Sequence, residues 1–260
     1  MFRFGVCTSI DNIEKAASLG FDFIEYGFSR LNALTEDEFR EAVKRVEASP
    51  IRVEACNGML PPELKVTGED VDEQAIRTYL DRTCARAKLL GVEVVVFGSG
   101  AARNVPAGYP HEKAWRDIAA YLRIAEEYCE KYRIDVAIGP LRRKECNIIN
   151  FVSEGTLLCS LLNLPHIGVL GDTHHMLSGS EPYAALAYAG SRLRHIHISH
   201  SFGPESGRDY PYEGDGENHE GLFETLSKMD YRGRVSIEAS CNDFMADGAK
   251  ALELMRKLAR

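Results

Sequence analysis

Short β-rich runs alternate with amphipathic stretches along this chain, eight times over, and few architectures accommodate that pattern. The runs fall at residues 3–8, 22–26, 51–56, 92–97, 134–138, 166–170, 193–199 and 234–238. The fourth is apolar throughout after Glu93, as suits a strand buried on both faces. Between the runs, apolar residues recur at helical spacing. Ile13, Ala16, Ala17 and Leu19 mark one face, which stops at Gly20. Thr35 reads as an N-cap before Glu36-Asp37-Glu38. Trp115, Ile118, Leu122, Ala125 and Cys129 stripe a long helix, and such a stripe is core packing rather than a ligand site. Further helices are expected near residues 71–90, 149–161, 182–189, 221–229 and 247–258.

Strict alternation implies parallel strands with right-handed crossovers. A doubly wound open sheet is the rival. Eight repeats within 260 residues favour closure, and no Gly-x-Gly-x-x-Gly follows the first strand. With no low-complexity linker or break in composition, the expectation is one (β/α)8 TIM barrel over residues 1–260.

Composition narrows the function classes. The formal net charge is −8, and the basic residues are dispersed. The densest cluster, Arg142-Arg143-Lys144, reads as a solvated loop. Recognition of a nucleic-acid backbone calls for a basic stripe, so no nucleic-acid partner is expected. Seven cysteines, an odd number with no Cys-x-x-Cys pair, sit mostly in apolar runs. That suits a reducing cytoplasm better than a disulfide framework. No apolar stretch reaches the ~20 residues that span a bilayer, and the first residues enter a strand-like run without a signal-peptide core. A cytoplasmic protein without a membrane partner is the expectation.

In a closed parallel barrel the active site gathers at the C-terminal strand ends. The second run carries Glu25 near its C-terminal end and the third leads to Asn57. Gly98-Ser99-Gly100 with Arg103 comes after the fourth, and Gly139-Pro140 and then Glu145 come after the fifth. Asp172, His174 and His175 come after the sixth, and the eighth ends in Glu238. The seventh carries His195 and His197, with His200 beyond. Asp172, His197 and Glu238 thus end three consecutive strands. Two carboxylates and an imidazole make a mixed O/N site that suits Mn, Mg, Co or Zn. His195 shares a face with His197 and reads as a core or supporting histidine. His174 and His175 point to different sides, so one of them faces the site. His200 reads as exposed. The glycine-rich loop with Arg103 is a weak phosphate-binding candidate.

These features resemble the xylose-isomerase-like barrel superfamily, within it the sugar epimerases and isomerases such as tagatose/psicose 3-epimerases and hydroxypyruvate isomerase. The resemblance is carried by Phe97-Gly98-Ser99-Gly100 with Arg103 and Pro106, by Asp172-Thr173-His174-His175, by His195-Ile196-His197, and by the segment from Tyr231 to Glu238. It implies one divalent metal ion held by Asp172, His197 and Glu238, with Glu238 also the catalytic acid–base. It implies substrate contacts from His175 and Glu145, a small sugar-like substrate, and room for a homo-oligomer. It also implies a fourth metal ligand, a glutamate ending strand five, where this chain has Gly139. That glutamate and the strand-eight carboxylate form the acid–base pair, so Gly139 is expected to cripple the site. Three accounts stand: an altered active enzyme, an enzyme in which Glu145 or a water substitutes, or a paralogue that binds without turnover. The resemblance further implies an arginine six residues past His197, where Gly203 stands. The metal-dependent endonucleases of the superfamily are a rival class, disfavoured by the acidic balance and thin ligand set. A sugar-binding module or a partner-dependent subunit is the non-enzymatic alternative.

Overall fold

The computed structural model describes residues 2–202 and 207–260. Eight parallel strands close into a barrel: β1 (Arg3–Cys7), β2 (Phe23–Gly27), β3 (Arg52–Asn57), β4 (Val94–Phe97), β5 (Asp135–Ile138), β6 (Ile167–Asp172), β7 (Leu193–Ile198) and β8 (Arg234–Ile237). Strands β1 and β8 pair to complete the ring, and helices fill the connections. Every strand lies within two residues of its expected bounds.

Period-two alternation divides the strand side chains between two cores. Phe23, Ala55, Val94, Val96, Ala137 and Leu170 fill the barrel interior. Their neighbours, such as Ile24, Cys56, Val95, Ile138 and Val169, face outward and pack beneath the helices in a larger cluster. This apolar plug is closed, with His195 and Ser236 buried beside it. Residues one step further along the strands, Glu25, Gly139, Asp172 and His197, therefore stand above it at the C-terminal mouth.

Local signals account for several helix ends. Thr35 caps Glu36–Ala48 in a full capping box with Glu38. Gly20 takes φ +94° to end Ile13–Leu19, a conformation that favours glycine. His111–Tyr132 buries Ile118, Leu122, Ala125 and Cys129 on the expected stripe. Other elements escaped the periodicity. Phe28–Ala33, Gly100–Arg103 and Thr173–Ser178 span too few turns to show an amphipathic pattern. The expected helix over 182–189 breaks into a 3-10 turn, Tyr183–Ala185, and one α turn, Leu186–Ala189. Past β7, His200–Ser201 pairs antiparallel with Arg208–Asp209. Position 203, where the resemblance implies an arginine, lies outside the described residues. All seven cysteines are free. Among the described residues no helix is long and apolar enough to cross a membrane.

Candidate active site

Asp172 is the last residue of β6, and its backbone and side chain do separate work. Its Oδ1 caps the following turn, accepting from the amides of His174 at 2.9 Å and His175 at 3.3 Å. That fixes the carboxylate plane and leaves Oδ2 turned to the barrel mouth. His197 lies beside it, since the β6–β7 register pairs the two residues directly. Glu238 follows β8, anchored by its amide to the Ile198 carbonyl at 3.2 Å. The His197 Nδ1 lies 2.8 Å from Glu238 Oε2 and 3.4 Å from Asp172 Oδ2. Three side chains from three consecutive strands thus converge, as their positions at the strand ends implied.

Beneath them is a carboxylate whose role the sequence did not disclose. Glu25 is fully buried on β2. Its Oε1 accepts from His197 Nε2 at 2.9 Å and its Oε2 from His195 Nε2 at 2.8 Å. Burial alone would raise this carboxyl's pKa, but the two imidazoles overcome it and hold Glu25 below the usual carboxylate range. An ionised Glu25 keeps the proton of His197 on Nε2. The opposite nitrogen, Nδ1, is buried and aimed at the Glu238 and Asp172 carboxylates, which together with Glu25 hold the imidazole well above its ordinary pKa against the cost of burial. Residue pairing across β2 and β7 was invisible because 172 residues separate the partners. His195 is the buried supporting histidine its position suggested.

Two further groups complete the rim. Asn57 Nδ2 donates to Glu238 Oε1 at 2.9 Å. Arg208 donates from Nη1 to Asp172 Oδ2 at 2.9 Å and from Nη2 to Glu238 Oε2 at 2.6 Å. Burial would raise the Glu238 carboxyl, but His197 and Arg208 outweigh it and hold it below the usual carboxylate range. Arg208 stands eleven residues past His197, beyond the short ladder, so no fixed spacing pointed to it.

The donor chemistry fits a divalent cation. Asp172, His197 and Glu238 offer three ligand atoms within 4.8 Å of one another. Two carboxylates converging on a buried imidazole nitrogen make a mixed O/N ligand set that calls for positive charge. The carboxylate behind the other ring nitrogen is the arrangement that orients metal-bound histidines. Glu145, His174 and His175 form a second such group at the mouth.

The whole architecture has close counterparts. Residues 13–260 match the family described as Xylose isomerase-like TIM barrel. The chain belongs to this family. A D-psicose 3-epimerase of Agrobacterium fabrum is 28% identical over 235 residues, covering 87% of this chain and 77% of that protein. An L-ribulose 3-epimerase of a Methylomonas species is 27% identical over 240 residues, covering 90% and 79%. Among solved structures, a D-psicose 3-epimerase with D-tagatose from Clostridium cellulolyticum superposes with a TM-score of 0.84 at 20% identity over the full length of both chains.

In this xylose isomerase-like barrel the strand-five corner is open. Gly139 lines a cleft of about 360 Å³ together with Gly98, Asp172, His197, Arg208 and Glu238. A Cβ at Gly139 would lie 3.3 Å from Gly98 Cα, Leu170 Cδ2 and Val96 Cγ1, so a side chain there would need its neighbours to give by a few tenths of an ångström. Glu145 lines the same cleft, but its Oε1 accepts from Arg142 Nε at 2.6 Å and its neighbours are His174 and His175.

Two readings of individual residues, Arg103 and His200, need revision. Arg103 is fully buried and directs its guanidinium at backbone carbonyls, to Phe97 and Gly139 at 2.6 Å each. It braces the ends of β4 and β5 and is unavailable to a phosphate. His200 is buried rather than exposed, packed edge-on against Phe202 and Tyr212 and close to Glu217. His174 and His175 do point to different sides: both are buried at the mouth, but His175 lines the main cleft while His174 turns to an adjacent recess and reaches Ser201. A larger surface hollow of about 950 Å³ near Ser9 and Arg45 is lined by dispersed charges with no convergent buried groups.

Proposed function

We propose that this barrel is an isomerase or epimerase of a small sugar or related hydroxy-carbonyl compound, acting through an ene-diolate with a divalent metal ion. The observation that carries the reading is the convergence of Asp172, His197 and Glu238 over a carboxylate-locked imidazole. The family relatives, named as ketose 3-epimerases, support the same class. Asp172, His197 and Glu238 would hold the metal, which when bound supplies Lewis-acid stabilisation of charge developing on substrate oxygens.

The chain's own groups divide the remaining work. Glu238 removes and returns the proton on carbon. Asn57 fixes its carboxylate plane through Oε1, which keeps a second lone pair for that task. His175 and Glu145 bind substrate hydroxyls at the cleft wall. Inversion at carbon needs a second acid–base group on the opposite face, and Gly139 supplies none. A single carboxylate that takes and returns a proton on one face suits isomerisation between adjacent carbons. Glu145 is the remaining carboxylate lining the cleft and is the group that would serve an inversion. The loss of strand-five chemistry also leaves a sugar-binding paralogue as the second reading.

The test is proton exchange in deuterated water with Mn²⁺ and D-psicose, D-tagatose or L-ribulose, followed by NMR. Deuterium should enter next to the carbonyl, and Glu238→Gln should abolish it. Gly139→Glu should raise the rate by ~10²-fold or more, the usual worth of one acid–base partner. No exchange on any of these sugars by either the parent or the Gly139→Glu protein would reject the acid–base mechanism. Sugar binding without exchange would favour the paralogue.

A further inference from the structure

Arg208 uses the same atoms that a metal would use. The oxygens it bridges, Asp172 Oδ2 and Glu238 Oε2, are the two that face His197 Nδ1. Its side chain is four-fifths buried, with a relative exposure of 21%. It is also delivered from a fixed backbone. The Arg208 carbonyl accepts from the Ser240 amide at 3.1 Å, and the Ser240 carbonyl accepts from the Tyr210 amide at 3.2 Å. The ladder with His200–Ser201 holds the other side. This guanidinium is built into the mouth of the barrel.

We propose that Arg208 is the resident cation of the site, bridging Asp172 and Glu238 in the metal-free protein and surrendering that bridge when a divalent metal binds. The inference rests on the metal reading above. A buried Asp172 and a half-buried Glu238 so close together need positive charge, and a planar fork that engages both at once supplies it without an ion. The same fork then opposes the metal, because the lone pairs directed into the site are already engaged. Metal affinity is therefore set by an exchange of cations. The released guanidinium remains on the cleft wall with its N–H groups free for substrate oxygens.

The experiment is calorimetric titration of the full chain with MnCl₂, comparing the parent with Arg208→Gln and Arg208→Lys. Removing the fork should tighten binding at least about tenfold in Arg208→Gln, or ~1.4 kcal/mol. The Arg208→Lys protein keeps the charge but has no planar fork to bridge both carboxylates, so it should also bind more tightly than the parent. Tightening confined to Arg208→Gln would mean that charge alone matters and would overturn the bridging role. Unchanged or weaker binding in both variants would overturn the proposal outright. If Arg208→Gln fails to fold by circular dichroism, the Lys variant decides. Should none of these, nor Gly139→Glu, bind Mn²⁺, the metal reading itself falls.

Discussion

Replacing Glu25 by glutamine keeps its shape and removes its charge, which makes it a sharp probe of the buried network. The carboxylate accepts from two imidazoles, at 2.8 and 2.9 Å, with neither its own side chain nor that of His195 exposed. A glutamine accepts from one ring and must donate to the other. The ring facing the amide N–H must then present a lone pair and move its own proton to Nδ1. For His195 that nitrogen is buried and unpartnered; for His197 it is the nitrogen aimed at Asp172 and Glu238. Bonds to a charged acceptor contribute roughly 1.5–3 kcal/mol and neutral ones roughly 0.5–1.5 kcal/mol, so two downgraded bonds give a loss of about 2–3 kcal/mol. That corresponds to a drop of about 4–12 °C in Tm for a chain this size. Urea unfolding of the metal-free protein measures it. Mn²⁺ affinity should fall roughly 10- to 100-fold, the usual worth of the partner behind a metal-bound histidine. A stability change under ~0.5 kcal/mol would refute the reasoning, because it would mean that no ionised carboxylate bridges the two rings.

Three other outcomes are expected. Arg103→Met should destabilise by ~3 kcal/mol in urea, since the Phe97 and Gly139 carbonyls lose buried donors; Arg103→Lys should not restore it, having no planar fork, and full stability in either variant would contradict the bracing role. In the absence of metal, Gly139→Glu should cost about 1–3 kcal/mol through contacts at 3.3 Å, read as a lowered urea midpoint. Burial holds the His174 imidazole down at about 4, against an ordinary ~6.5, so the unfolded chain takes up that proton first as pH falls. His174 stabilises the fold above pH ~6.5 and loses that contribution down to about 4, and His174→Asn should flatten the slope of urea stability between pH 7 and 5; an unchanged slope would show that His174 titrates alike in both states.

Much of this protein is written locally. Strand position and the closed barrel follow from apolar runs that recur with the right period, because backbone hydrogen bonding and burial act on neighbouring residues in the chain. The same logic places Asp172, His197 and Glu238 at adjacent strand ends, and it exposes Gly139 as a strand end without a carboxylate. Thr35 and Gly20 mark helix ends for the same reason. Short elements such as Thr173–Ser178 stayed hidden because one or two turns carry no periodicity.

What tertiary structure alone decided is which side chains answer one another across the barrel. Glu25 could have capped a loop; closure of the ring sets it between His195 and His197 and so fixes which imidazole nitrogen faces the site. Arg103 could have met a phosphate; the packing of β4 against β5 turns it inward to carbonyls. Arg208 had no motif, and only the ladder beyond β7 carries it to Asp172 and Glu238. Sequence periodicity determines where a residue lies along a strand and which face it takes. The partner it meets depends on chain closure over long separations, where charge, burial and geometry are settled together.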